Sequence, residues 1–575
     1  MKRYWKYIRP YIQYYILGPC FMMMEVVGDV LLPYMLAKII NQGIAERNVV
    51  YIIKIGVIMG FIAVIMAVGG VLGAWFASKA AMNFGADLRM DLFEKIQQFS
   101  FQNIDNFSTG SLITRLTNDI TQIQNMIMMT LRMCLRSPGI LIGAMVMAFV
   151  ISPKLAAIFI IVLPVLAVLI VVIMRRAFPQ FRTLQEKLDA LNSCIQEGLV
   201  GIRLIKSFVR GDYEEMRFEK RNQQLKEANL TAMKTMLLYT PLMTLALNIT
   251  TVVVVWSGGN MIVAGNMQVG DLTAFTNYIV QIMSSLTMLS IAFLNWARAI
   301  ASFRRVGEVL NEKIDLTDEN AKHKDRAVCE GSVEFQNVSF RYYKNSPEWV
   351  IENISFKLEA GKTLGIIGPT GSGKSTLVSM IPRLYDTDEG TVLVYGINVR
   401  DYGLKPLREG IGMVLQNNTL FSGSITENLK WGDEHADEKA VRKAAQNAQA
   451  AGFIDSFKDG YRTRLEQSGN NVSGGQKQRL CIARALLKCP KILILDDSTS
   501  AVDTATERAI REALHSEYKD MTKIIIAQRI RSVMDADEIL VLDNGKTAGF
   551  GTHEQLLADC PVYREIYDVQ NGREE

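Results

Sequence analysis

The sequence predicts an all-α domain of six transmembrane helices followed by a soluble α/β domain. Three observations carry that prediction. The N-terminal half holds six long apolar runs, each of the roughly 20 residues that a membrane span needs. Beyond a polar stretch near residue 320 the composition becomes that of a soluble domain. A glycine-rich turn then sits between a short apolar strand and a helix, the local context of a phosphate-binding loop. Bulk composition agrees: 575 residues exceed one ordinary domain, and 49% hydrophobic content with a mean hydropathy of +0.13 is too apolar for a purely soluble chain.

The apolar runs lie near 16–40, 51–77, 127–151, 154–175, 238–264 and 270–297. The first carries Glu25 and Asp29 and lacks a small-residue cleavage site, so it reads as a retained span and not as a signal peptide. Lys2, Arg3, Lys6 and Arg9 precede it, and the segments 78–126 and 176–237 are rich in Lys and Arg, whereas the connections 41–50 and 258–269 contain only Arg47. By the positive-inside rule both termini and both long loops are expected in the cytoplasm, with the chain threaded repeatedly through the lipid bilayer of the cell membrane. The long loops keep apolar residues at three- and four-residue spacing between charges, which predicts helices projecting into the cytosol. Such loops could merely connect spans; their length favours a docking surface for a cytoplasmic domain.

Polar residues inside the spans call for a reason. Glu25 and Asp29 stand four apart, as do Arg132 and Arg136, so each pair shares a helical face. They either face a water-filled substrate cavity or pair with one another between helices. Thr273, Asn277, Gln281 and Ser284 form a stripe along the sixth run, read here as lining such a cavity, with Ile279 turned toward lipid. The seven cysteines show no C-x-x-C and there are four histidines, so a metal cluster is not indicated; the thiols read as buried, in a reducing compartment. A net charge of +5 without a basic run of five gives nucleic-acid binding no support. The polar stretch "NEKIDLTDENAKHKDRA", 311–327, reads as a linker. The domains are therefore expected at 1–310 and 331–575, joined by 311–330.

In the second domain "KTLGIIG" forms the strand, "PTGSGKST" the turn and "LVSMIPRLY" the helix. Gly368, Pro369, Thr370, Gly371, Ser372, Gly373, Lys374 and Ser375 satisfy G-x-x-x-x-G-K-S, followed by Thr376. The glycines let backbone N–H groups curl around phosphates, Lys374 can reach the β- and γ-phosphates, and Ser375 can ligate magnesium. Alone, this loop leaves GTPases, kinases and helicases open.

Further segments narrow the choice. "VSGGQKQRLCIARAL", 472–486, runs directly into the apolar strand "KILILDD"; "VLQNNTLFSGSITENL" contains Gln416; "VSFRYY" ends in Tyr342 and Tyr343; "STSAVD" ends at Asp503. These resemble, in turn, the signature motif and Walker B strand, the Q-loop, the adenine-stacking loop and the D-loop of ATP-binding cassette (ABC) proteins. With six spans, two long loops and a C-terminal cassette, the whole chain resembles an ABC exporter half-transporter, its second domain being an α/β P-loop NTPase. The resemblance implies ATP and Mg2+ as ligands, with Tyr342 stacking on adenine and Asp496 and Gln416 joining Ser375 around magnesium. It also implies that Ser473, Gly474, Gly475 and Gln476 act in trans on ATP held by an opposite cassette, so that the protein works as a dimer.

Two positions depart from the family pattern. Asp497 stands where a glutamate would polarise the attacking water, and "IIIAQRIRSV" places Gln528 where a histidine would contact the γ-phosphate. Aspartate is one methylene shorter, and a misplacement of ~1 Å can cost ~100-fold in rate. Gln528 can make hydrogen bonds but cannot carry a proton near neutral pH. Together the changes resemble the degenerate-site subunit of bacterial heterodimeric multidrug exporters. The expected partner is a second ABC half-transporter supplying the missing Glu and His, and the expected cargo a small, drug-like or otherwise amphipathic substrate. Alternatives are a lipid or peptide exporter, a homodimeric exporter, and an ATP-gated channel, for which a further regulatory segment would be expected. A soluble cassette protein is excluded by the spans.

Overall fold

The structure, a computed structural model, describes residues 2–344, 346–498 and 502–572; the side chains of 2, 290, 291, 293–295, 297, 298 and 571 are outside the description. Two compact units emerge, Met1–Gln97 with Gly110–Asn311, and Gln98–Thr109 with Glu312–Glu575.

The first unit is helical. Its main elements are α1 (Ile12–Lys38) and α2 (Val49–Gln97), then, past the short α3 (Phe101–Asp105), α4 (Ile120–Met133), α5 (Arg136–Ile151), α6 (Pro153–Val200), α7 (Gly211–Leu237), α8 (Tyr239–Val263) and α9 (Val269–Asn311). The sharp start of α6 follows from "ISP": Ser152 is extended and accepts a hydrogen bond from the Leu155 N–H at 3.4 Å, and Pro153 needs no N–H partner in the first turn. Five described helical stretches are long and apolar enough to cross a bilayer: Trp5–Ile44, Val49–Gln97, Thr109–Ile151, Pro153–Val200 and Gly211–Val263. The first five expected runs fall on them, and three extend 20 or more residues past the expected span, as the helical spacing of the long loops predicts. The sixth run lies in α9, which packs through Phe275, Tyr278, Ile279 and Ile282, all fully buried.

That packing corrects one expectation. Ile279 is enclosed by protein and does not face lipid, because the face of α9 next to the polar stripe is the one that packs on α1, with the Tyr278 hydroxyl donating to the Val30 carbonyl at 2.8 Å. The cysteines need correcting too. Cys194, Cys481 and Cys560 are buried, but Cys20, Cys329 and Cys489 are exposed, since the first lies on an outward face of α1 and the other two in connecting segments.

The second unit is α/β. A four-stranded antiparallel sheet contains β1 (Val333–Phe340), β2 (Ile351–Leu358) and β4 (Glu389–Val394), with the two-residue strand Ile397–Asn398 at one edge. A six-stranded sheet has the order β9 (Lys546–Gly551), β8 (Glu538–Asp543), β3 (Thr363–Ile367), β7 (Thr522–Ile526), β6 (Ile492–Asp496), β5 (Ile411–Val414), parallel except at β9. Strands β3, β6 and β7 are buried at every residue, which is why they read as unbroken apolar runs without alternation. The expected linker is docked on this unit: His323 N–H donates to the Asp401 carbonyl at 2.7 Å, and Leu316, Ala321 and Val328 are buried. Segment 98–109, drawn in the first domain from sequence, sits with the second unit because α3 packs there. The Tyr385 hydroxyl donates to Asp105 at 3.0 Å, and Asn103 donates to the Lys313 carbonyl at 2.9 Å.

Candidate functional site

Neighbouring parallel strands deliver their C-terminal ends to one edge of the large sheet, where open α/β sheets place their ligands. From β3 the chain enters the phosphate loop and then helix α10 (Lys374–Ser379). Gly371 and Gly373 have φ of +86° and +88°, the left-handed region that a glycine-rich turn requires. At Gly373 a Cβ would also lie 2.9 Å from the Val350 carbonyl, so only glycine lets β2 approach. The Lys374 ammonium is held over this loop, donating to the Gly368 and Pro369 carbonyls at 2.8 and 2.7 Å.

A cavity of about 220 Å3 opens here, lined by Thr370–Thr376, Gln416, Asp496, Asp497 and Gln528, together with Val350 and Ile526. The phosphate loop, Q-loop, Walker B and switch positions named from sequence thus converge, although they span more than 150 residues of chain. Ser375 Oγ donates to Asp496 Oδ1 at 2.9 Å. These oxygens and the Gln416 carbonyl form the hard, all-oxygen donor set that suits Mg2+. Tyr342 stands beside the loop, its hydroxyl 2.9 Å from Thr376 Oγ1 and its ring edge-on to Phe340 and Tyr385; it is partly exposed, whereas Tyr343 is 75% exposed. Val350 and Ile526 had no motif to mark them, since they contribute only apolar wall.

Asp497 follows the last residue of β6 in a left-handed conformation, φ +47°, and its N–H donates to the Ile526 carbonyl at 3.1 Å. Gln528 Nε2 donates to Asp497 Oδ2 at 2.7 Å, so the two departures from the family pattern are joined to each other. Burial raises both Asp496 and Asp497 above the usual carboxylate range; hydrogen bonds from Ser375 to the first, and from Gln528 and Gln416 to the second, oppose that rise only in part. Burial also lowers Lys374, against the pull of the two acids.

The signature is not part of this cavity's lining. Ser473 caps α11 (Gly474–Leu487), accepting from the Gln476 N–H at 3.3 Å while Gln476 Oε1 accepts from the Ser473 N–H at 2.9 Å. Gly474 and Gly475 form the first turn, so the motif presents a rigid helix N-terminus. Asp503 caps α12 (Thr504–Glu517) with its carboxylate alone, accepting from the Thr506 N–H, while 499–501 of the D-loop segment lie outside the described residues.

In the first unit Arg136 bridges α5 to α1, 2.8 Å from Glu25 and 3.3 Å from Asp29. Glu25, Arg132 and Arg136 also line a cavity of about 210 Å3 with Met22, Gly70 and Met133, so interhelical pairing and a polar cavity coexist at one place. On α9, Asn277 and Ser284 are exposed and half-buried Gln281 donates to the Asp29 carbonyl at 2.7 Å, which brings the stripe to the same acids.

Residues 15–286 match the family described as ABC transporter transmembrane region, and 351–500 the family described as ABC transporter. The chain is 39% identical over 574 residues to an uncharacterised ABC transporter ATP-binding protein, YfiB, of Bacillus subtilis (strain 168), covering 100% of this chain and 99% of that one. It is 32% identical to YgaD of the same organism, provisionally named a multidrug export ATP-binding/permease protein, with 99% of each covered. The fold is similar to that of a bacterial Atm1-family ABC exporter solved with ATP bound, at a TM-score of 0.81 and 24% identity over 98% of both chains.

Proposed function

The chain belongs to the ABC transporters, as a half-transporter whose membrane domain is fused to a C-terminal ATP-binding cassette, and from that premise we propose an efflux subunit that works beside a different half-transporter. Family membership makes it a multi-pass membrane protein of the exporter type that binds and hydrolyses ATP and acts as a dimer. The finer reading is that its own site is slow, that its signature completes the partner's faster site, and that its cargo is drug-like or otherwise amphipathic. The distribution of Lys and Arg supports a cytoplasmic position for both termini.

One observation carries the asymmetry. Asp497 stands at the base position of the family pattern, yet its Oδ2 accepts from Gln528 at 2.7 Å, and Gln528 has no proton to exchange near neutral pH. The carboxylate is short and engaged, which suits holding nucleotide more than driving hydrolysis. Lys374, the loop N–H groups and Tyr342 remain arranged to bind ATP, and Ser375, Asp496 and Gln416 would hold Mg2+. When bound, the ion supplies neutralisation of phosphate charge. Support for a drug-like cargo comes from the name of YgaD and from polar groups placed among apolar helices.

The test is a pair of single variants in the purified transporter with its partner. Ser473→Ala is expected to silence ATPase activity nearly completely, by ~100-fold or more, whereas Asp497→Ala costs less than about fivefold, because a poorly placed base has little transition-state stabilisation to lose. The reverse ranking would make Asp497 a working base and favour a homodimeric exporter.

A further inference from the structure

The site has a support that none of its motifs names. Helix α13 (Pro561–Asn571) is anchored through its first half: Tyr563 is fully buried with its hydroxyl 2.7 Å from His553 Nδ1, and Ile566 and Tyr567 pack on the core. Its last turn carries Gln570. The side-chain amide donates to the Gln528 carbonyl at 2.7 Å and accepts from the Ile530 N–H at 2.8 Å. One primary amide therefore occupies the carbonyl and the N–H on either side of Arg529, as a neighbouring strand would, and fixes the loop leaving β7.

That loop aims the Gln528 side chain at Asp497. These two residues are common to the lining of the 220 Å3 phosphate-loop cavity and of a second cavity of about 670 Å3, whose wall also includes Gln570. The Gln528–Asp497 bond thus stands between the two cavities. Gln528 shares the first with Lys374 and Ser375, the groups at the terminal-phosphate end of a nucleotide held by this loop. A loop released from α13 could turn the Gln528 amide away from that end while leaving the phosphate loop itself unchanged.

We propose that Gln570 is a positioning residue for the nucleotide site: the last turn of the C-terminal helix holds the switch loop so that Gln528 faces the terminal phosphate and the site distinguishes ATP from ADP. The inference rests on nucleotide binding at this chain's own phosphate loop, and does not depend on which site hydrolyses faster.

The experiment measures ATP and ADP affinity of this chain, within the purified transporter, by photolabelling with azido analogues and separation of the subunits. Gln570→Met keeps length and helix propensity but removes both hydrogen bonds. It is expected to lower the preference for ATP over ADP about fivefold, the scale of one net hydrogen bond, with ADP affinity changed by less than about twofold. Gln528→Ala should give the same loss, and the double variant no more, since Gln570 acts through Gln528. Equal weakening for both nucleotides, an unchanged preference, or additive losses would overturn the proposal. As a check needing no variant, the Ile530 amide in the wild-type protein should resist hydrogen exchange, and rapid exchange there would equally overturn it. If neither nucleotide labelled the wild type, the functional reading itself would fall, a result recognisably different from a lost preference.

Discussion

Asp496 and Asp497 share a cavity with Lys374, and burial is the largest influence on all three, raising the two acids and lowering the base. An acid with a raised native pKa holds its proton more readily in the folded than in the unfolded chain. Its contribution to stability is therefore present below the ordinary carboxylate range and is lost as pH rises through the native value. Burial therefore penalises the two negative charges that these acids carry when ionised. Asp496→Asn removes one while preserving an oxygen to accept from Ser375. Its melting temperature should exceed that of the wild type at about pH 7, and the gap should narrow on acidification as the native carboxyl takes up its proton. A gap constant across that range would mean that packing, and not charge, separates the two proteins.

Helix α9 is the element with two characters. One face is packed through Phe275, Tyr278 and Ile279; the adjoining one carries Asn277, Gln281 and Ser284. In a membrane, where no hydrophobic force joins helix to helix, polar groups at such a seam either pair or meet water. Gln281 pairs through its amide with the Asp29 carbonyl, while Asn277 turns back on the Thr273 carbonyl at 2.9 Å. In a cysteine-free background, Asn277→Cys is expected to react with a water-soluble thiol reagent at least about tenfold faster than Ile279→Cys, which burial protects. Similar rates at both positions would remove the solvated pathway from the reading of α9.

At the scale of the molecule, the informative feature is that α3 belongs with the cassette although the chain on both sides of it is membrane-domain helix. Tyr385, six residues beyond the end of α10, sets its ring at a tilt to Phe101, 6.0 Å between centroids, and donates its hydroxyl to Asp105. Burial and the Asp105 charge push that hydroxyl's pKa upward, so it stays a donor at any physiological pH. The same ring lies edge-on to Tyr342, which ties α3 to the nucleotide site through two aromatic contacts. Tyr385→Phe should leave ATP labelling of the cassette within about twofold of wild type, because it removes one hydrogen bond remote from the phosphates. It should, however, blunt any ATP-dependent change in thiol reactivity at Asn277→Cys. An undiminished response would show that α3 is coupled by other contacts.

The sequence by itself determined what depends on neighbours along the chain: six apolar runs, five of which fall on helices long and apolar enough to span a bilayer, the long helical extensions, the glycine loop with Lys374 and Ser375, and the identity of the residues that depart from the family pattern at 497 and 528. Helical period, left-handed turns and phosphate cradles are made from residues a few positions apart, so their signals survive in a one-dimensional reading. Tertiary structure alone decided the pairings. Gln528 meets Asp497 across 31 residues, Gln570 meets Gln528 across 42, Arg136 meets Asp29 across 107 and Tyr385 meets Asp105 across 280. It also decided that Ile279 is enclosed and that Cys20 is not. A hydrogen bond or a buried face between distant segments is fixed by how whole elements pack, and neither spacing nor residue type records which partner that packing will supply.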